Sequence, residues 1–104
     1  MNLSGKVCVI TGASSGIGKS LATKLSFKGA IVVLAARRNS KLIQIKEEIE
    51  NDGGTCTGFK TDISKKLECI NLINETVNLY GKIDLLVLCL YFLSLLLERY
   101  PPSP

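Results

Sequence analysis

The chain has 104 residues, 46% hydrophobic and 21% charged, a composition that fits one small folded domain and excludes a disordered chain. A domain of this size buries only about 60 to 65% of the surface its unfolded chain exposes, so its stability margin is thin. The net charge of +4 comes from 13 Lys and Arg spread along the sequence, adjacent only at Arg37–Arg38 and Lys65–Lys66, which reads as a solvated basic surface and argues against nucleic-acid binding.

Taken in chain order, Val7–Thr11 is β-branched and apolar and reads as a strand. A glycine-rich loop follows. Ile17, Leu21 and Leu25 then recur at helical spacing before Gly29, which predicts an amphipathic helix closed by glycine. Residues 30–36, "AIVVLAA", form a continuous apolar run of strand length, the pattern of a strand buried on both faces. In "SKLIQIKEEIENDGG", Ser40 is the expected cap, Leu42, Ile45 and Ile49 share one face, and residues 51–54 stop a second helix. "TCTGFKTD" (55–62) is a weaker strand. A third helix is expected from about Ser64, with Ile70, Ile73, Val77 and Tyr80 on one face and Gly81 as its end. "KIDLLVLCL" (82–90) reads as a fourth strand. Strands alternating with helices of these lengths require parallel pairing with right-handed crossovers, so the expected fold is α/β, an open parallel sheet of order 3-2-1-4 with helices on both faces.

The run from Leu85 to Leu97 is interrupted by one polar residue, Ser94. As a helix it would span about 20 Å, short of a hydrocarbon core of about 30 Å, so no membrane span is expected. The segment before residue 11 holds too short an apolar run for a secretory signal. Cys8, Cys56, Cys69 and Cys89 show no C-x-x-C spacing and read as reduced apolar residues, without a metal or disulfide role, which places the chain in the cytoplasm. There is no histidine, so acid–base chemistry would fall to Tyr, Lys, Asp, Glu or a hydroxyl.

The loop "TGASSGIG" (11–18) sits between the first strand and the first helix. Helix N-termini present unpaired N–H groups and a positive dipole end, and glycines allow an anion close to the backbone, so the expected ligand is a phosphate. A nucleotide triphosphatase loop needs Gly-x-x-x-x-Gly-Lys-Ser/Thr, but Ala13 occupies its first position and Gly12 lies one residue too early. A turn needed only for packing accounts for one glycine better than for three.

"TGASSGIG", Asp62 after the third strand and "GKIDLLV" (81–87) together resemble the N-terminal, coenzyme-binding half of a short-chain dehydrogenase/reductase of the classical type, over residues 5–87. The resemblance implies a partial Rossmann domain over residues 1–90, with an apolar and Pro-rich tail over 91–104, and a bound nicotinamide dinucleotide. By that resemblance Gly12 makes the turn, Gly16 and Gly18 permit close backbone approach, and Ser14, Ser15 and Ile17 line the phosphate and nicotinamide side. Asp62, with the Ile63 backbone beside it, looks like the family's adenine-contacting acid; its alternative role is an Asx turn into the next helix. In Rossmann sites an acid about 20 residues beyond the glycines binds the ribose 2′-hydroxyl of NAD, whereas an Arg accommodates the 2′-phosphate of NADP. Here Ala36, Arg37 and Arg38 occupy that place, so NADP is expected over NAD, with Arg37 the first candidate and Arg38 the second.

The resemblance also implies a catalytic Tyr-x-x-x-Lys, and the sequence departs from it. Tyr80, Tyr91 and Tyr100 are followed at the fourth place by Asp84, Leu95 and Pro104, and "LCLY" (88–91) stands where the family has Asn-Asn-Ala-Gly. No catalytic residue is assigned, and the expectation is a truncated or alternatively spliced product of an oxidoreductase, or a gene model that runs into an intron after Val87. The alternative is a non-enzymatic dinucleotide-binding or interaction module that pairs through an open sheet edge, with itself or with a full-length relative.

Overall fold

The computed structural model describes residues 2–12 and 16–87. Seven elements alternate: β1 (Val7–Thr11), α1 (Gly16–Phe27), β2 (Ile31–Ala36), α2 (Asn39–Asn51), β3 (Thr55–Lys60), α3 (Lys66–Tyr80) and β4 (Leu85–Val87). The sheet is parallel throughout and its order is β3-β2-β1-β4, as the alternation requires. Val7 pairs with Ile31, Cys8 with Leu85, and Ala36 with Lys60 at the last rung between β2 and β3.

Both central strands are covered on both faces, which is why they carry unbroken apolar runs. On one face Cys8, Ile10, Val32 and Leu34 pack against Ala22, Leu25, Leu42, Ile45 and Ile49 of α1 and α2. On the other, Val7, Val9, Val33 and Ala35 pack against Leu72 of α3. Cys8 and Cys56 are buried free thiols, and burial pushes the Cys56 thiol up to about 12, so it stays protonated and packs as a small apolar group.

The helices depart from the expected faces in three places. In α1 the buried residues are Gly18, Ala22 and Leu25, while Ile17 is 57% exposed; small residues let the helix lie close on β1 and β2, and the bulkier Ile17 is left outside. The α2 helix begins at Asn39 after Arg38 in an extended conformation and makes no side-chain cap, so Ser40 lies inside the helix and is not its cap. In α3 the sheet-facing residues are Leu72 and Thr76, and Ile70, Ile73 and Val77 are exposed. Thr76 tolerates full burial because its hydroxyl donates to the Leu72 carbonyl at 2.8 Å. Tyr80, half-buried, shares a 2.6 Å hydrogen bond with Thr57 of β3.

Asp84 ties the start of β4 to the start of β1. Its Oδ2 accepts from the Val7 amide at 2.8 Å and its own amide donates to the Val7 carbonyl at 2.9 Å. At the opposite end the Thr11 hydroxyl donates to the Val87 carbonyl at 3.3 Å. The strand ends that carry the glycine loop are thereby held in register.

Candidate functional site

Those expected site residues that the structure describes lie at the C-terminal rim of the sheet, where parallel α/β folds place their ligands because strand ends and helix starts converge there. Gly12 follows β1 with φ of +66°, a conformation that side chains with a Cβ rarely adopt, and so turns the chain sharply off the strand. The first helical residue, Gly16, is exposed, and a Cβ placed on it would meet nothing within 4 Å. Gly16 is thus uncrowded on its Cβ side, and the first turn of α1 carries no acidic side chain to oppose an anion. Gly18 is buried within the first turn of α1. Gly16 and Ile17 line a groove of about 380 Å³ with Ser20, Leu21 and Lys24. Ser14 and Ser15 lie outside the described residues.

A second cleft, of about 450 Å³, opens at the ends of β2 and β3 and is lined by Arg37, Lys60, Asp62, Lys65 and Glu68. The structure thus brings Arg37 and Asp62 together. Arg38, by contrast, precedes α2 and does not line the cleft. No carboxylate occupies positions 36–38.

Asp62 is held from three sides. Its Oδ1 accepts from the Ser64 amide at 3.0 Å and the Ser64 hydroxyl at 2.6 Å, its amide donates to Glu68 Oε1 at 2.9 Å, and its carbonyl accepts from the Lys65 amide at 3.0 Å. The Asx turn weighed from the sequence is present, yet it engages one carboxylate oxygen only. Asp62 Oδ2 accepts nothing, and the adjacent Ile63 amide donates to nothing, among the described residues. The two Ser64 hydrogen bonds, aided by Lys65 and Arg37, hold the Asp62 carboxyl below the usual carboxylate range, so it is ionised at neutral pH. An open acceptor beside an open donor is the pattern that a heteroaromatic amine with an adjacent ring nitrogen complements.

Lys60, Lys65 and Glu68 were not among the residues expected from the sequence. Glu68 carried a signal, being an acid in the first turn of a helix that reaches back to an upstream amide. Lys60 carried none, because its nearness to Arg37 comes from the Ala36–Lys60 pairing of two strands separated by a helix.

Comparison with known proteins accords with this geometry. A family profile described as short chain dehydrogenase matches residues 6–89. An uncharacterized oxidoreductase of Listeria monocytogenes is 44% identical over 88 residues, covering 85% of this chain and 36% of its own length. A metagenomic short-chain oxidoreductase solved in complex with NADP superposes with a TM-score of 0.77, with 38% identity over 80% of this chain and 38% of that one. A 7α-hydroxysteroid dehydrogenase complexed with NADH and 7-oxo glycochenodeoxycholic acid gives 0.79 at 33% identity, over 82% of this chain and 33% of that one. The chain spans about a third of the length of these relatives.

Proposed function

From the premise that this chain belongs to the short-chain dehydrogenase family, we propose that it is a nicotinamide-dinucleotide-binding unit of oxidoreductase type that prefers NADP(H) to NAD(H). The observation that carries the reading is the cleft at the β2 and β3 ends. It sets the Arg37 guanidinium beside Asp62 and offers no acid after β2 to accept from a ribose 2′-hydroxyl or to repel a 2′-phosphate. The Gly12 turn and the N-terminus of α1 would take the pyrophosphate, and Asp62 Oδ2 with the Ile63 amide would take the adenine edge. Ser14, Ser15 and Ile17 are assigned to the phosphate and nicotinamide side, Gly16 and Gly18 to close backbone approach, and Arg38 to a supporting positive charge. When bound, the coenzyme supplies or accepts a hydride.

None of the three tyrosines stands four residues before a lysine. The chain by itself is accordingly proposed to bind coenzyme without reducing a carbonyl substrate. Titration of the full chain with NADPH and NADH, read by nicotinamide fluorescence and followed by an assay with an aldehyde and a ketone, tests this. Tighter NADPH binding without turnover is expected; turnover would refute the view of the chemistry, and absence of binding would refute the coenzyme reading.

A second reading, an interaction module that pairs with another copy of itself, is favoured by one observation. Leu86 is 49% exposed on β4 and pairs with Val9, so it lies on the α3 side of the sheet, the side on which Ile70, Ile73 and Val77 are also exposed. The two readings are compatible, since the coenzyme cleft lies at the β2 and β3 ends.

A further inference from the structure

The cleft at the rim of β2 and β3 holds more positive charge than Arg37 alone explains. Three cations line it, Arg37, Lys60 and Lys65, against two carboxylates, Asp62 and Glu68. Lys65 is paired with Glu68 at 3.7 Å, and Arg37 is near enough to Asp62 to favour its ionised form. Lys60 forms no ion pair among the described residues and is exposed. Arg37 likewise forms no ion pair among the described residues, so the cleft presents two unpaired cations and carries one positive charge in excess of its carboxylates. The place of Lys60 is fixed by backbone pairing: it is opposite Ala36 at the last rung of β2 and β3, and Arg37 is the residue that follows β2.

A phosphate monoester carries about −1.5 to −2 charge at neutral pH, so one guanidinium leaves it under-neutralised and a second cation completes the match. Arginine offers a planar fork for two oxygens, whereas a lysine ammonium acts as a movable point charge that can meet the third oxygen from another side. Resting on the coenzyme reading above, we infer that Lys60 is a specificity-determining residue: together with Arg37 it seats the 2′-phosphate of NADP(H) across the β2–β3 rim. NADH, which lacks that phosphate, gains nothing from Lys60.

The test uses the full chain, with NADPH and NADH titrated by nicotinamide fluorescence against wild type, Lys60→Gln, Lys60→Arg and Arg37→Ala, and with adenosine 2′,5′-bisphosphate and adenosine 5′-monophosphate as competitors. Lys60→Gln is expected to weaken NADPH and the bisphosphate about tenfold and to change NADH and the monophosphate less than about twofold. Lys60→Arg is expected to retain most of the wild-type preference, and the preference should shrink as salt is raised, because the pairing is exposed. Because the Lys60 side chain is exposed, circular dichroism of each variant should match wild type. If NADPH affinity falls in Arg37→Ala but is unchanged in Lys60→Gln, the Lys60 assignment fails while the coenzyme reading stands. Equal losses for NADPH and NADH in Lys60→Gln also overturn the assignment. A wild-type chain that binds neither coenzyme overturns the coenzyme reading, and the role of Lys60 with it.

Discussion

At the scale of single residues, the site is a set of positions whose backbone placement decides their use. Arg37 and Arg38 are adjacent and chemically alike, yet only Arg37 faces the cleft, because Arg38 turns into the start of α2. Arg37→Ala is therefore expected to weaken NADPH binding while sparing NADH, and Arg38→Ala to do less; equal effects of Arg37→Ala on both coenzymes would reject the assignment. Asp84 shows how a charge supports the frame beneath the site. The Val7 amide, and after it Lys82, hold the Asp84 carboxyl below its ordinary value of 3.8. A depressed carboxylate pKa contributes stability above the unfolded value and loses it as pH falls through the folded one. Asp84→Asn should thus melt below wild type at neutral pH, with the two curves converging as pH is taken below 3.8. A gap that stayed constant down to that pH would show that the charge plays no part.

At the scale of elements, the order and type of every described strand and helix were legible from periodicity and punctuation, but the buried face of two helices was not. The apolar stripe of α3, Ile70, Ile73 and Val77, is as regular as any in the chain, and it points away from the sheet while Leu72 and Thr76 point in. Periodicity reports that a face is apolar; it does not report which neighbour covers it. Packing between elements also explains Gly54, at the junction of α2 and β3. A Cβ there would collide with Ser26 of α1 and stand 2.7 Å from Ile49 Cγ2. Gly54→Ala is expected to destabilise by about 1–3 kcal/mol through overpacking. In a domain of this size each kcal/mol lowers the melting temperature by roughly 4–8 °C. Thermal denaturation by circular dichroism measures this directly. Gly53→Ala is the comparison, as a Cβ there meets nothing within 4 Å and only its backbone angle is strained.

At the scale of the whole molecule, the described residues form one sheet with a covered centre and an apolar β4 side. Leu85, Leu86 and the outer stripe of α3 leave apolar side chains in water, and an edge strand of this kind favours pairing with another chain. Sedimentation of the purified chain is expected to show concentration-dependent self-association, and the double substitution Ile73→Lys with Leu86→Lys to shift it toward monomer. A wild-type chain that sediments as a monomer at all concentrations would remove the interaction reading. Among the described residues no helix is long and apolar enough to cross a membrane. The expected continuation of β4 to residue 90 and the apolar and Pro-rich tail lie outside the described residues.

The sequence by itself determined the alternation of strands and helices, and with it the parallel sheet of order β3-β2-β1-β4, because right-handed crossovers leave few other arrangements. It also determined the glycine turn after β1 and the want of an acid after β2, since both are local features. Tertiary structure alone decided that Arg37 and not Arg38 lines the cleft with Asp62, that Lys60 joins them, and that α3 turns Leu72 and Thr76 inward. These are matters of register and of the space beside each element, set by strands far apart in the chain, and no local pattern of residues carries them.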